Sequence, residues 1–350
     1  MIISKTPTRL SFAGGGSDIA SYYREHGGAV VSVTIDKYVY LTLQQRFDHS
    51  IRIGYSRTEE VEKVDDIQHP IVRHCLKLMG PSQGIEITSH ADIPSRGSGL
   101  GSSSSFTVGL LNGLSAYQGR RISPQELAET ACHVEIDLNK DPIGKQDQYA
   151  AAFGELRMYR FHPDGTVSVE PLICSTHTLE KLQRNLLMFY TGITRSAGDI
   201  LKEQTQVLGS KQDAITKMHR MVQHAYDVRR ELESGNPDGV GHVLHESWLL
   251  KRGLTNGITN SAIDGWYEAA RKAGALGGKI LGAGGGGFLL IYVRAEQREA
   301  VKLALKELRR IPFRFEREGS KIIFYQPTTL DPEREESESE EQARAKHSGL

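Results

Sequence analysis

Pro94-Ser-Arg-Gly97-Ser98-Gly99-Leu100-Gly101-Ser102-Ser103-Ser104-Ser105 is the stretch on which the reading of this chain turns. Before it, Gly84–Ser89 reads as a short strand; after it, Phe106–Tyr117 is an apolar run of helix length. A glycine-serine loop between strand and helix suits an anion. Glycines let backbone amides approach closely, and the helix N-terminus adds partial positive charge. Serine hydroxyls suit phosphate oxygens or a magnesium ion. A merely flexible Gly/Ser loop is the plainer alternative. No Lys follows the glycines, so this is not a Walker loop. The spacing GxGxG also departs from the dinucleotide fingerprint GxGxxG.

Two further glycine loops flank it. Gly14-Gly15-Gly16-Ser17-Asp18 follows the run Arg9–Ala13, and suits either a tight turn or close contact with a polyhydroxy substrate. Gly282-Ala-Gly284-Gly285-Gly-Gly287 passes into the strand Phe288–Val293, and reads as a turn or as backbone packed beside a ligand. These loops absorb a compositional excess. The chain has 36 glycines in 350 residues, where average usage of about 7% predicts roughly 25.

Between the second and third loops stand two carboxylates. Ser123-Pro124-Gln125-Glu126 marks a helix start, with a capping serine, a first-turn proline and a capping-box glutamate. Glu135 lies on that helix beside its apolar stripe of Leu127, Ala131, Val134 and Leu138, so it faces either a cleft or solvent. Asp147 follows in Gly144-Lys145-Gln146-Asp147, where a carboxylate near a lysine suits proton acceptance in phosphoryl transfer, or else a surface loop.

Lys plus Arg balance Asp plus Glu at 43 each, which argues against nucleic acid as a partner. No apolar run approaches the roughly 18 residues of a membrane span. The N-terminus lacks signal-peptide regions. Three widely spaced cysteines suggest neither a disulfide framework nor a zinc site. The expectation is a cytoplasmic protein that binds neither nucleic acid nor membrane. Among the 13 histidines, His242 and His245 have no evident third ligand, so metal binding by them is not expected. No GxSxG elbow is present.

Strand-like runs at 29–35, 38–43 and 50–55 read as an antiparallel meander, followed by strands at 156–161, 167–173 and 186–190. Helical stretches are expected at 199–233, interrupted near Gly209, at 261–273 and at 297–309, with paired strands at 313–316 and 322–325. The order implies an α+β fold. Expected domains are 1–176, 177–330 and an acidic, disordered tail at 331–350.

These pieces, in this order, resemble the GHMP kinases. The matching segments are Pro7-Thr-Arg9-Leu-Ser-Phe-Ala-Gly-Gly-Gly-Ser17-Asp18, Pro94–Ser103 and Leu281-Gly-Ala-Gly-Gly-Gly-Gly-Phe288. Within that superfamily the wording is closest to the bacterial D-glycero-D-manno-heptose 7-phosphate kinases, and fucokinase domains share much of it. The resemblance implies a two-lobed fold. Its N-terminal lobe would resemble domain 2 of ribosomal protein S5, and its C-terminal lobe would be ferredoxin-like. It implies ATP and Mg2+ as cofactors and a sugar phosphate as acceptor, phosphorylated at its anomeric hydroxyl. It carries nothing on oligomeric state.

By that resemblance, Gly97, Ser98, Gly99, Leu100, Gly101, Ser102, Ser103 and Ser104 would wrap the ATP phosphates. Ser103 and Glu135 would hold magnesium. Asp147 would face the acceptor hydroxyl, with Arg9 beside it. Gly15, Gly16, Ser17, Asp18, Lys145, Gly284 and Gly285 would serve the acceptor. Arg96, Lys145, Arg195, Lys251 and Arg252 are candidates for its phosphate. The chain departs from galactokinase in two places. Two residues separate Pro94 from Gly97 where galactokinase has one, and Gly-Gly-Gly-Ser-Asp replaces Gly-Glu-His-Thr-Asp, which places the acceptor outside the galactose group.

Overall fold

The computed structural model describes residues 1–94, 97–193, 198, 200, 202–203, 212–255 and 257–326. The chain opens with β1 (Ile2–Ala13), a short helix α1 (Ala20–His26) and β2 (Gly28–Gln45). The two runs expected at 29–35 and 38–43 are therefore one strand. It pairs antiparallel with β1 along most of its length.

Next come β3 (Ile51–Gly54), β4 (Thr58–Val61), α2 (Pro70–Met79) and β5 (Ile85–Ala91). The meander is corrected here. β3 pairs parallel with β5, which lies between it and β2. The crossover through α2 supplies the length that a parallel connection needs. The polar turn between β2 and β3 looks the same locally whether the chain pairs back or crosses over.

Helix α3 (Ser102–Tyr117) follows the glycine-serine loop. Val108, Leu111 and Leu114 of this helix share a core with Leu41 and Leu43 of β2. It is apolar around most of its circumference, as expected of a helix buried between layers. Then come α4 (Pro124–Cys132), a π-helical turn (His133–Leu138), α5 (Gln146–Phe153), β6 (Leu156–Phe161) and β7 (Val167–Pro171). The Ser123 hydroxyl accepts from the Glu126 amide at 3.2 Å, as the capping motif requires.

A second sheet starts after α6 (Thr176–Asn185). Its strands are β8 (Leu186–Tyr190), β9 (Ala275–Ile280), β10 (Phe288–Val293) and β11 (Arg309–Arg310), in the antiparallel order β11-β8-β10-β9. Its helices are α7 (Gln212–Glu233), α8 (Pro237–Arg252), α9 (Ser261–Lys272) and α10 (Arg298–Ala304). The interruption expected near Gly209 and the acidic tail at 331–350 lie outside the described residues.

The runs expected to pair at 313–316 and 322–325 do not pair with each other. β12 (Lys321–Tyr325) returns to the first sheet and pairs antiparallel with β1, while Phe315 makes a lone bridge to Ile35. The chain end thus closes the first lobe, although it lies in the range assigned to the second. One apolar cluster fuses the lobes, joining Leu10, Phe12 and Val33 to Met188, Leu244, Leu281 and Leu290. No helix among the described residues is long and apolar enough to cross a membrane.

Candidate active site

The glycine-serine loop lies where the two lobes touch. Gly97, Gly99 and Gly101 all have positive φ, and Gly101 in the left-handed region precedes the first turn of α3. The loop is internally braced. The Ser98 hydroxyl lies 3.1 Å from that of Ser102 and accepts from the Leu100 amide at 3.3 Å. Gly99 backs directly onto the third glycine loop, where a Cβ would lie 2.3 Å from the Leu281 carbonyl oxygen. The second and third loops are thus packed backbone to backbone, as only glycine allows.

Arg9, on β1, ties this loop to the carboxylate. Its backbone amide donates to the Leu100 carbonyl at 3.0 Å and its Nη1 to the Gly99 carbonyl at 2.6 Å. Its Nε donates to Asp147 Oδ1 at 2.8 Å. Asp147 lies in the first turn of α5, with a quarter of its side chain exposed, and a Cβ on Gly101 would meet its carboxyl at 3.2 Å. Arg9 and Asp147 therefore stand together at the mouth of the loop, as expected. This is an accessible carboxylate held by a buried guanidinium, beside a helix N-terminus that favours anions.

Glu135 is fully buried. The π-helical turn carries it, an irregularity often found at functional positions. Its Oε1 accepts from Thr107 Oγ1 at 3.0 Å, its Oε2 from Gln148 Nε2 at 2.5 Å, and Ser104 also hydrogen-bonds it. Burial outweighs these donors and pushes its pKa up to about 7. The expected partner Ser103 is exposed on α3, so the structure brings Ser104 rather than Ser103 to Glu135. This set fits a hard cation. Carboxylate and hydroxyl oxygens converge, and Gln148 Oε1 is buried with no hydrogen-bond partner among the described residues.

Several acceptor residues expected from the sequence are turned elsewhere. Ser17 is fully buried, and its hydroxyl donates to the Ala29 carbonyl and accepts from the Ala29 amide. Asp18 is 2% exposed, with Oδ1 taking the Gly16 amide at 2.9 Å and Oδ2 the Gln146 amide at 3.1 Å. Burial first, and then nearby Asp147, raises its pKa. Instead of presenting carboxylate oxygens to a sugar, Asp18 pins the first glycine loop to the segment that carries Asp147. Lys145 Nζ donates to the Gly165 carbonyl at 2.6 Å. Arg252 faces Asp264 at 3.6 Å, while Arg96 and Arg195 lie outside the described residues. Gly285 donates its amide to Ile258 at 2.8 Å, and Gly284 packs against the same residue.

Two buried lysines were not read fully from sequence. Lys251 on α8 donates to the Gly282 carbonyl, and burial brings its pKa down to about 8, with Arg9 adding in the same direction. Lys279 on β9 crosses between lobes and donates to the Ser11 carbonyl at 2.9 Å and that of Phe12 at 3.3 Å. Burial lowers its pKa well below the ordinary lysine value. Nothing local distinguishes Lys279 from a surface lysine on a strand. His245 shares a hydrogen bond with the Tyr267 hydroxyl at 2.6 Å.

Comparison with known proteins gives the family. Residues 68–155 match the GHMP kinases N-terminal domain and residues 228–310 the GHMP kinases C-terminal domain. The chain is 30% identical to the D-glycero-alpha-D-manno-heptose 7-phosphate kinase of Campylobacter jejuni, over 91% of this chain and 98% of that one. It is 27% identical to a bifunctional fucokinase/GDP-fucose pyrophosphorylase of Arabidopsis thaliana, over 86% of this chain and 31% of that one. The crystal structure of a D-glycero-D-manno-heptose 1-phosphate kinase from Bacteroides thetaiotaomicron superposes with a TM-score of 0.77 at 26% identity, covering 93% of this chain and all of that one.

Proposed function

This chain belongs to the GHMP kinases, and on that premise we propose that it moves the γ-phosphoryl group of ATP to the anomeric hydroxyl of D-glycero-D-manno-heptose 7-phosphate. The product is the 1,7-bisphosphate, on the way to a nucleotide-activated heptose. The observation that carries the reading is the Arg9–Asp147 pair held against the Gly99 carbonyl of the glycine-serine loop. The similarity to the Campylobacter jejuni enzyme supports the choice of sugar.

In this reading the amides of the loop from Gly97 to Ser104 and the N-terminus of α3 hold the ATP phosphates. The acceptor hydroxyl lies against Asp147, which orients it and takes its proton. The acceptor oxygen forms its bond to the γ-phosphorus as the bond to the β,γ-bridging oxygen breaks, and ADP leaves. An anomeric hydroxyl is more acidic than an ordinary alcohol, so a carboxylate suffices as the base. Arg9 keeps Asp147 aimed. Glu135 and Ser104 would hold magnesium, which would supply charge to neutralise the phosphoryl group in transfer. We also propose a lobe boundary near residue 176, between the last strand of the first hairpin series and the first helix before β8.

A second reading, transfer to an unphosphorylated sugar such as fucose, is favoured by the fucokinase similarity and by Lys145 and Arg252 being engaged elsewhere. The test is ADP release with heptose 7-phosphate, the unphosphorylated heptose, fucose and galactose as acceptors. Turnover dominated by heptose 7-phosphate supports the first reading. Preference for fucose selects the second, and no turnover with any of them rejects both.

A further inference from the structure

Leu10 and Phe12 of β1 point into the core between the lobes, so by strand alternation Arg9 and Ser11 share the opposite face. Arg9 is there to hold Asp147. Ser11 has no such employment. It is 3% exposed, and its hydroxyl has no hydrogen-bond partner among the described residues. The side-chain carbonyl of Gln146, the residue before Asp147, is likewise buried without a partner among them. Both side chains lie beside Gly15. A Cβ built on Gly15 would lie 3.5 Å from Ser11 Oγ and 3.6 Å from Gln146 Nε2. Gly15 has no positive φ, so its backbone does not call for glycine, and those distances are ordinary van der Waals contact. A methyl there would touch both side chains without straining the backbone.

Leaving buried polar groups unsatisfied costs roughly 1–3 kcal/mol each, so native proteins pair them. Two such groups beside the carboxylate of the reaction point to a ligand. Their chemistry narrows it. A serine hydroxyl donates and accepts, and an amide offers both functions whichever way round it sits. A phosphate oxygen brings acceptors only and leaves the Gln146 carbonyl unpaired. A hydroxyl satisfies both residues. The site is also rigid, since Lys279 holds the backbone carbonyls of Ser11 and Phe12, and Asp18 holds the Gln146 amide.

We propose that Ser11 and Gln146, with Gly15 between them, bind a hydroxyl of the acceptor next to the one that Asp147 engages, and so select a polyhydroxy substrate. This rests on the sugar-kinase reading above and adds residues to it. The acceptor's phosphate, if it has one, is received elsewhere.

The test uses the whole chain and the acceptor that the ADP-release screen selects, heptose 7-phosphate or fucose. Ser11→Ala, Gln146→Leu and Gly15→Ala are compared with the native protein by acceptor affinity in calorimetry, ATP-analogue affinity and thermal midpoint. The expected result is acceptor binding weakened about fivefold to tenfold by each of the first two changes, and as much or more by Gly15→Ala. ATP-analogue affinity is kept. The thermal midpoint of the free protein is unchanged or raised in the first two variants, because each removes an unpaired group. A purely structural role would lower the midpoint and leave acceptor affinity alone. That outcome, or native acceptor affinity in all three variants, overturns the assignment while leaving the kinase reading intact. A native chain that turns over no acceptor overturns both.

Discussion

Arg9 sets Nε and Nη2 against a single oxygen of Asp147, at 2.8 and 2.7 Å, and its third nitrogen against the Gly99 carbonyl. One buried guanidinium thus fixes the carboxylate and the glycine-serine loop in a single frame. Asp147→Asn keeps the shape and removes the charge. Turnover should fall by about 10²–10⁴-fold, the usual contribution of a positioned acid or base, while affinity for an ATP analogue stays close to native. Steady-state kinetics with analogue titration checks this, and turnover near the native level would remove Asp147 from its role.

Arg9→Lys tests the frame itself. A lysine carries the charge but cannot reach the carboxylate and the Gly99 carbonyl with a planar fork. Both turnover and ATP affinity should drop, the second because the loop loses its brace. If only turnover changes, the link from Arg9 to the loop has no energetic weight.

Glu135 gives a pH signature without substrate. Its folded pKa is about 7 against an ordinary value of 4.5. Between those values the native state holds a proton that the unfolded state has released. Its contribution to stability is therefore full below about pH 4.5 and is lost as pH rises toward 7. Glu135→Gln should flatten that part of the profile of urea midpoint against pH. Magnesium needs the carboxylate ionised, so stabilisation of the native protein by magnesium should grow as pH rises through 7 and vanish in the variant.

Lys251 has the opposite sign. Its folded pKa is about 8 and its ordinary value 10.5, so the native state gives up its proton first. Stability from this group should rise as pH climbs from about 8 toward 10.5. Lys251→Met should lose that rise. Urea midpoints at pH 7.5 and 9.5 decide it, and equal slopes in native and variant would contradict burial of the ammonium.

Gly99→Ala forces a Cβ to within 2.3 Å of the Leu281 carbonyl oxygen at a residue with φ of 72°. The obstacle is backbone and cannot rotate away. A loss of roughly 1–3 kcal/mol or more is expected, with weakened ATP-analogue binding. Gly119→Ala, at φ of 70° with nothing within 4 Å of the new atom, is the control. It carries the conformational strain alone and should leave nucleotide binding untouched. Chemical denaturation of both variants separates the two effects.

Local chemistry made much of this molecule legible. The glycine-serine loop between strand and helix, the Ser123 cap and the runs that became β6, β8 and β10 depend on neighbours in sequence, where periodicity and capping act. The order of the three loops and two carboxylates carried the family resemblance. Tertiary structure decided the rest. Arg9 meets Asp147 across 138 positions, β12 returns to β1 across more than 300, and β3 lies parallel to β5, all pairings with no local signature. Burial turned Ser17 and Asp18 from the acceptor toward backbone amides, and a π-helical turn set Glu135 against Ser104. A sequence shows which groups can carry charge or hydrogen bonds. Which of them are spent on the protein's own backbone, and which are left over for a ligand, depends on what the distant chain brings within 3 Å.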